Sequence, residues 1–251
     1  MQGSDGGTAD RRDGWSMWLL WGLPVAIGVF ASAVFLAMPE IDLAAARLFY
    51  APETGFVGRR PVWVEVLRQV FVAFYFGTIA LCLFGLVSVW RGRPQWLRLD
   101  RNRWLFLAAC LAAGPGLVAN LVFKDQWGRA RPGQIVEFGG RKQFTPPLVM
   151  TDQCPRNCSF VSGEASSSYV TFYAAAALFP QWSVALVVAG TAAGLATGLI
   201  RMAQGAHFLS DIVLAGVLMA LTVLALREMM LRGARSDPSR REPQPSPRPG
   251  V

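Results

Sequence analysis

Six stretches of this chain are apolar for long enough to cross a bilayer: Trp15–Met38, Val62–Trp90, Trp104–Phe123, Phe160–Phe179, Trp182–Ile200 and Phe208–Leu226. A helix needs ~20 residues to span ~30 Å of hydrocarbon, and each stretch meets or approaches that length. Charged residues are only 16% of the chain and gather at its ends and in a few loops. A soluble bundle would not combine several such lengths with so few internal charges. The expectation is an all-α integral membrane bundle of six transmembrane helices.

Tryptophan placement points the same way. Trp15, Trp63, Trp90, Trp104 and Trp182 each fall at a segment end, where an amphipathic ring prefers the headgroup level. Arg11 and Arg12, with Ala31-Ser32-Ala33 downstream, have some features of a cleaved signal peptide. The apolar run continues through Met38, longer than a signal core, so it reads as a transmembrane helix.

Orientation follows from Lys and Arg. Arg91, Arg93, Arg98, Arg101 and Arg103 join the second and third segments. The N-terminal tail carries Arg11 and Arg12, and the C-terminal tail Arg227, Arg232, Arg235, Arg240 and Arg241. An even number of crossings puts all three regions on one side, the cytosol by the positive-inside rule. Loops 39–61, 124–158 and 201–207 then face outward, to a periplasm in a bacterial inner membrane. The expected organisation is a cytosolic tail over 1–14, a membrane domain over 15–231, and a disordered basic Pro-rich cytosolic tail over 232–251. The net charge of +8 thus follows from topology and attraction to a lipid surface. No nucleic-acid-binding motif is present.

Cys82 and Cys110 fall within helices and read as inert packing residues. Cys154 and Cys158 bracket "PRN" in an outward loop, where an oxidising compartment favours a disulfide. A metal site would need more ligands, and the only histidine is far away in sequence.

Three outward stretches carry the chemistry. "KDQWGRARP" supplies Lys124, Arg129 and Arg131; "VSGE" supplies Ser162, Gly163 and Glu164; "RMAQGAHFLSD" supplies Arg201, His207 and Asp211. Cations beside apolar segments are costly and tend to mark function. Separate basic groups around a Ser-Gly helix start suit a tetrahedral oxyanion such as phosphate. Asp211 lies four residues beyond His207, one helical turn on, where it can hold one ring nitrogen and aim the other at the anion.

In order and spacing, Lys-x6-Arg-Pro, then Ser-Gly, then Arg-x5-His-x3-Asp resembles the type-2 phosphatidic acid phosphatase superfamily. The resemblance implies that Lys124, Arg131 and Arg201 bind phosphate with Ser162 and the Gly163 amide. It also implies that His207 is a nucleophile forming a phosphohistidine, with Asp211 orienting it. Arg129 falls between the matched positions and reads as a surface or headgroup contact. "PEIDLAAARLFYAPETGF", "FTPPL" and "CSFVSGEAS" are similar, more narrowly, to bacterial lipid A phosphatases.

Two positions depart from the family's usual Pro-Ser-Gly-His and Ser-Arg: Val161 replaces the proline and Ile200 the serine. A third concerns chemistry, because Glu164 stands where the family's second histidine protonates the leaving alkoxide. Glu164 is then either that general acid or a group that only orients a cation or water. The implied activity is phosphate-monoester hydrolysis on a membrane lipid, lipid A or a precursor, without metal or other cofactor. Phosphatidylglycerophosphate, phosphatidate and polyprenyl pyrophosphate are alternative substrates. An inactive lipid-phosphate binder is a second alternative.

Overall fold

The computed structural model describes residues 6–93 and 96–232. The chain is mostly helical. Helix α1 (Gly6–Ala37) is followed by the short α2 (Glu40–Arg47) and a two-stranded hairpin, β1 (Tyr50–Ala51) with β2 (Gly55–Phe56). Long helices follow: α3 (Val62–Trp90), α4 (Arg101–Leu111, continuing with π-helical winding to Lys124), α5 (Gly163–Leu178), α6 (Ser183–Ala203) and α7 (Leu209–Arg227).

Among the described residues, four helical stretches are long and apolar enough to cross a membrane: Val62–Trp90, Arg101–Lys124, Pro180–Ala203 and Leu209–Leu231. A fifth counts if Trp21–Ala37 and Glu40–Arg47, bent by 86° from one another, are taken as one broken span. The protein is therefore a multi-pass membrane protein. The stretch expected as a fourth span, Phe160–Phe179, forms a helix of only 16 residues, about 24 Å at 1.5 Å per residue. It is also the helix most enclosed by protein. Ala165, Ser166, Ser168, Tyr169, Val170, Thr171 and Ala174 are all buried, against α6 and α7 above all.

Small residues allow that enclosure. Gly194 and Gly198, four apart on α6, face Tyr169 and Ile212; an added Cβ would come within 2.4 Å of Tyr169 and 2.3 Å of Ile212. Backbones can approach this closely only where side chains are absent. The outer face of α3 instead presents Trp63, Val66, Val70, Phe74 and Phe76, as a lipid-facing surface should.

Trp104, at the start of α4, is buried against protein. Asp100 caps α4 by accepting from the Arg103 amide, which puts Trp104 inside the first turn, with its indole packed over Gly85 of α3. The N-terminal tail expected over 1–14 is helical from Gly6, and residues 1–5 lie outside the described residues. The expected C-terminal tail likewise lies outside them from residue 233 on.

A second, smaller core sits at one end of the bundle. Ala46, Phe56, Ala130, Ile135, Phe138 and Phe208 pack with Tyr50 and Phe144, joining α2 and the hairpin to the loop between α4 and α5. This layer fixes the loops that carry the polar residues.

Candidate active site

The polar residues singled out by sequence are delivered to this end of the bundle by several elements. Pro115 cannot donate a backbone hydrogen bond, and the wider winding around it continues to the end of the helix, where the Asp125 amide donates five residues back to Asn120 at 3.1 Å. That register leaves Lys124 beside the start of α5. A Cβ added to Gly163 would stand 3.5 Å from Lys124 Nζ. Ser162 caps α5, its hydroxyl accepting from the Ala165 amide, and its own amide donates to the Asp211 carbonyl at 3.2 Å. Arg201 lies in the last turn of α6, with Nη1 donating to Gln204 Oε1.

Arg131 precedes a single turn begun by Pro132, and its Nε and Nη2 both donate to the Asn157 carbonyl, at 3.1 and 2.8 Å. Burial lowers the Arg131 pKa below its ordinary value, yet a guanidinium stays charged in any working range. Asn157 lies within the Cys154–Cys158 disulfide, whose Cα atoms are 5.6 Å apart. The same strand of chain is tied down by the Cys158 amide on the Lys124 carbonyl and the Ser159 amide on the Arg129 carbonyl. The bridged loop thus shapes the surroundings of Arg131 and Ser159.

His207 does not sit on α7. It lies in the turn before it, so the one-helical-turn argument for its pairing with Asp211 does not hold. Its Nδ1 is 2.7 Å from the Ser159 carbonyl and 3.8 Å from Asp211 Oδ2. A carbonyl can only accept, so Nδ1 carries the proton and Nε2 keeps its lone pair. Asp211 acts one step back. Its Oδ2 accepts from the Ser159 hydroxyl and, at 2.7 Å, from the Phe208 amide that opens α7. Burial drives the His207 pKa down to about 4, against the opposing pull of Asp211 and with help from Lys124 and Arg201. Its imidazole is therefore neutral near pH 7.

Arg129 overturns the expectation of a surface or headgroup contact. It is fully buried, donating to Asp211 Oδ1 at 2.6 Å, Ser210 Oγ at 2.8 Å, Asp42 Oδ2 at 2.7 Å and the Thr145 carbonyl at 2.8 Å. The guanidinium also lies 4.4 Å from the centre of the Phe208 ring. Two carboxylates buried side by side need this cation between them. Asp42, also fully buried, comes from α2 and accepts from the Ser210 amide at 2.8 Å.

Glu164, in the first turn of α5, meets two arginines. Arg68 Nη1 donates to Oε1 at 2.9 Å, and Arg201 Nε lies 3.5 Å from Oε2. Arg68 is anchored in turn by Glu65, one turn earlier on α3. Beyond these groups opens a cavity of about 500 Å³ lined by Arg59, Glu65, Arg68, Arg131, Gln134, Arg201 and Gln204.

Arg68, Asp42 and Ser159 are the residues that sequence reasoning passed over. Arg68 and Glu65 carried a usable signal, since charges inside an apolar span are seldom accidental. Asp42 and Ser159 had none beyond their neighbourhoods.

Residues 103–233 match the PAP2 superfamily. A relative from Francisella tularensis subsp. novicida, named lipid A 4'-phosphatase, is 35% identical over 223 residues, covering 84% of this chain and 95% of the relative. The chain belongs to the PAP2 superfamily. A lipid A 4'-phosphatase of Rhizobium leguminosarum is 33% identical, over 83% of this chain and 91% of its own length. A lipid A 1-phosphatase of Rhizobium etli is 36% identical, over 72% and 77%. The fold is similar to the crystal structure of a transmembrane PAP2-type phosphatidylglycerolphosphate phosphatase from Bacillus subtilis. That similarity has a TM-score of 0.52 at 15% identity and covers 85% of this chain and 98% of the other. The phosphatase resemblance read from the three motifs is thereby established at the level of the family.

Proposed function

We propose that this PAP2 protein is a phosphoric monoester hydrolase that removes a phosphate from lipid A or a precursor of it. One observation carries the proposal: His207 presents an unprotonated Nε2 at the end of the bundle that also holds Lys124, Arg131 and Arg201. Relatives named lipid A 4'-phosphatase and lipid A 1-phosphatase supply the substrate class, a lipid with phosphate at two positions.

In this reading Lys124, Arg131 and Arg201 bind the phosphate oxygens with the Ser162 hydroxyl and the Gly163 amide at the start of α5. The Nε2 lone pair attacks phosphorus, the bond to the sugar oxygen breaks, and a phosphohistidine forms. Water then cleaves the P–N bond and releases inorganic phosphate. Asp211 and Ser159 hold the ring in the required tautomer as positive charge develops on it.

The departing sugar oxygen must collect a proton. An ion pair needs Glu164 as a carboxylate, whereas general acid catalysis needs it as a carboxylic acid. Its contacts with Arg68 and Arg201 support the second sequence reading, an anchor for two cations, and leave water in the cavity as proton source.

The same reading includes six crossings, with α1 and the short, enclosed α5 completing the set. The site faces the periplasm from the inner membrane and both termini are cytosolic. It has a cytosolic tail over 1–14, a membrane catalytic domain over 15–231 and a basic Pro-rich tail over 232–251. In its support, Arg91, Arg93, Arg98, Arg101 and Arg103 lie at the opposite end of α3 and α4 from Lys124.

The test is incubation of the purified protein with bisphosphorylated lipid A, phosphatidylglycerophosphate, phosphatidate and a polyprenyl pyrophosphate, with products weighed by mass spectrometry. The proposal expects lipid A to lose one phosphate fastest. Faster turnover of another lipid would replace the substrate, and no turnover of any would favour a binding protein.

A further inference from the structure

The cavity beside the proposed phosphate site carries more positive charge than one phosphate requires. Arg131 and Arg201 serve the reacting phosphate in the reading above, and Arg68 is matched by Glu65 and Glu164. Arg59 is different. Among the described residues no carboxylate pairs with it, although its side chain is well held. Its Nε donates to the Gln204 carbonyl at 3.0 Å, and its guanidinium stands 5.6 Å over the Phe56 ring. Nη2 lies across Gly133, where an added Cβ would come within 1.8 Å. Next to it, Gly58 packs directly on the backbone of Ala203, fixing this loop on the end of α6.

We propose that Arg59 binds a second phosphate on the same headgroup whose first phosphate is cleaved, and so determines specificity for a bisphosphorylated lipid. This rests on the function proposed above. A cation without a carboxylate partner, held in place on the wall of a polar cavity, is preorganised for an anion and spends little conformational entropy on binding it. A guanidinium suits the task because its remaining N–H donors form a fork matched to phosphate oxygens. Arg59 lines the same cavity as Arg131 and Arg201, so one headgroup carrying two phosphates can meet all three cations.

The experiment compares monophosphorylated and bisphosphorylated lipid A as substrates for the purified full chain in neutral phosphatidylcholine micelles. Arg59→Gln should raise KM about tenfold for the bisphosphorylated lipid, the size of one charge-assisted hydrogen bond, and leave the monophosphorylated lipid unchanged. Gly133→Ala should reproduce that pattern with the charge intact, because its methyl group displaces the Arg59 guanidinium. Equal losses on both lipids would overturn the proposal. A loss that instead follows added anionic phospholipid would also overturn it, showing that Arg59 reads the bilayer. A wild-type protein that cleaves neither lipid would remove the proposed function and this inference together.

Discussion

Replacing Arg129 with methionine removes one cation from between two fully buried carboxylates. Four hydrogen bonds are lost, to Asp42, Asp211, Ser210 and the Thr145 carbonyl. Summing them at ~1.5–3 kcal/mol each would overstate the cost, because Ser210 is itself bonded to Asp42 and contributions within a network are not additive. The better guide is a broken buried ion pair, about 3–5 kcal/mol, most of it from the charge left behind. Asp42 and Asp211 are both stranded here, so the upper end of that range applies. Against a total stability of ~5–15 kcal/mol this is severe, and the apparent Tm in detergent should fall by roughly 10 °C or more. Arg129→Lys keeps the charge but cannot span two carboxylates with a fork, so it should fall between the two. The assay is thermal unfolding of each purified variant, with phosphatase activity measured well below the lower Tm. Because Asp211 holds Ser159 and Ser159 holds His207, kcat should drop even where Arg129→Met is fully folded. A Met variant within ~1 kcal/mol of wild type and equally active would refute the view that this network positions the histidine.

Glu164→Gln should cost similar factors on lipid A and on p-nitrophenyl phosphate, since an anchor for Arg68 and Arg201 matters to any phosphate. A loss of about 10²–10⁴ confined to the lipid, whose leaving oxygen needs a proton, would restore Glu164 as general acid. His207 is the only histidine, so an NMR titration of histidine-labelled protein reads it alone. Its midpoint should lie near 4, and a midpoint at 6.5 or above would contradict the buried, carbonyl-bound ring. Because the folded pKa lies below that of the free side chain, the unfolded chain binds the proton first. Stability should therefore fall as pH drops from about 6.5 towards about 4. Activity should survive EDTA at fixed detergent, because cationic side chains supply the charge stabilisation that a metal would otherwise provide. Loss of turnover restored only by a divalent ion would contradict that reading.

The membrane class and the convergence of Lys124, Arg131, Ser162, Gly163, Arg201 and His207 were legible because each rests on local pattern. Long apolar runs announce spans, and the motif spacings announce the phosphate chemistry. What was not legible depends on where turns fall. His207 lies outside α7 because Phe208 caps that helix, and no spacing rule reveals that the Ser159 carbonyl, 48 positions away, accepts the hydrogen bond from its Nδ1. Arg129 looked like a surface cation because its two carboxylate partners, Asp42 and Asp211, are 87 and 82 positions distant. Glu164 gained its meaning only when α3 brought Arg68 alongside. Helix α5 was legible as an apolar helix, but composition did not reveal that its apolar residues face protein and that it is only 16 residues long.

In the proposed mechanism His207 attacks the phosphorus of a lipid phosphate. Wild-type protein mixed with lipid A labelled in its phosphates and quenched in alkali within the first turnover should carry label on its single histidine, and His207→Asn should carry none and turn over no lipid. Rapid lipid turnover with no labelled histidine, or turnover retained by the Asn variant, would contradict the account.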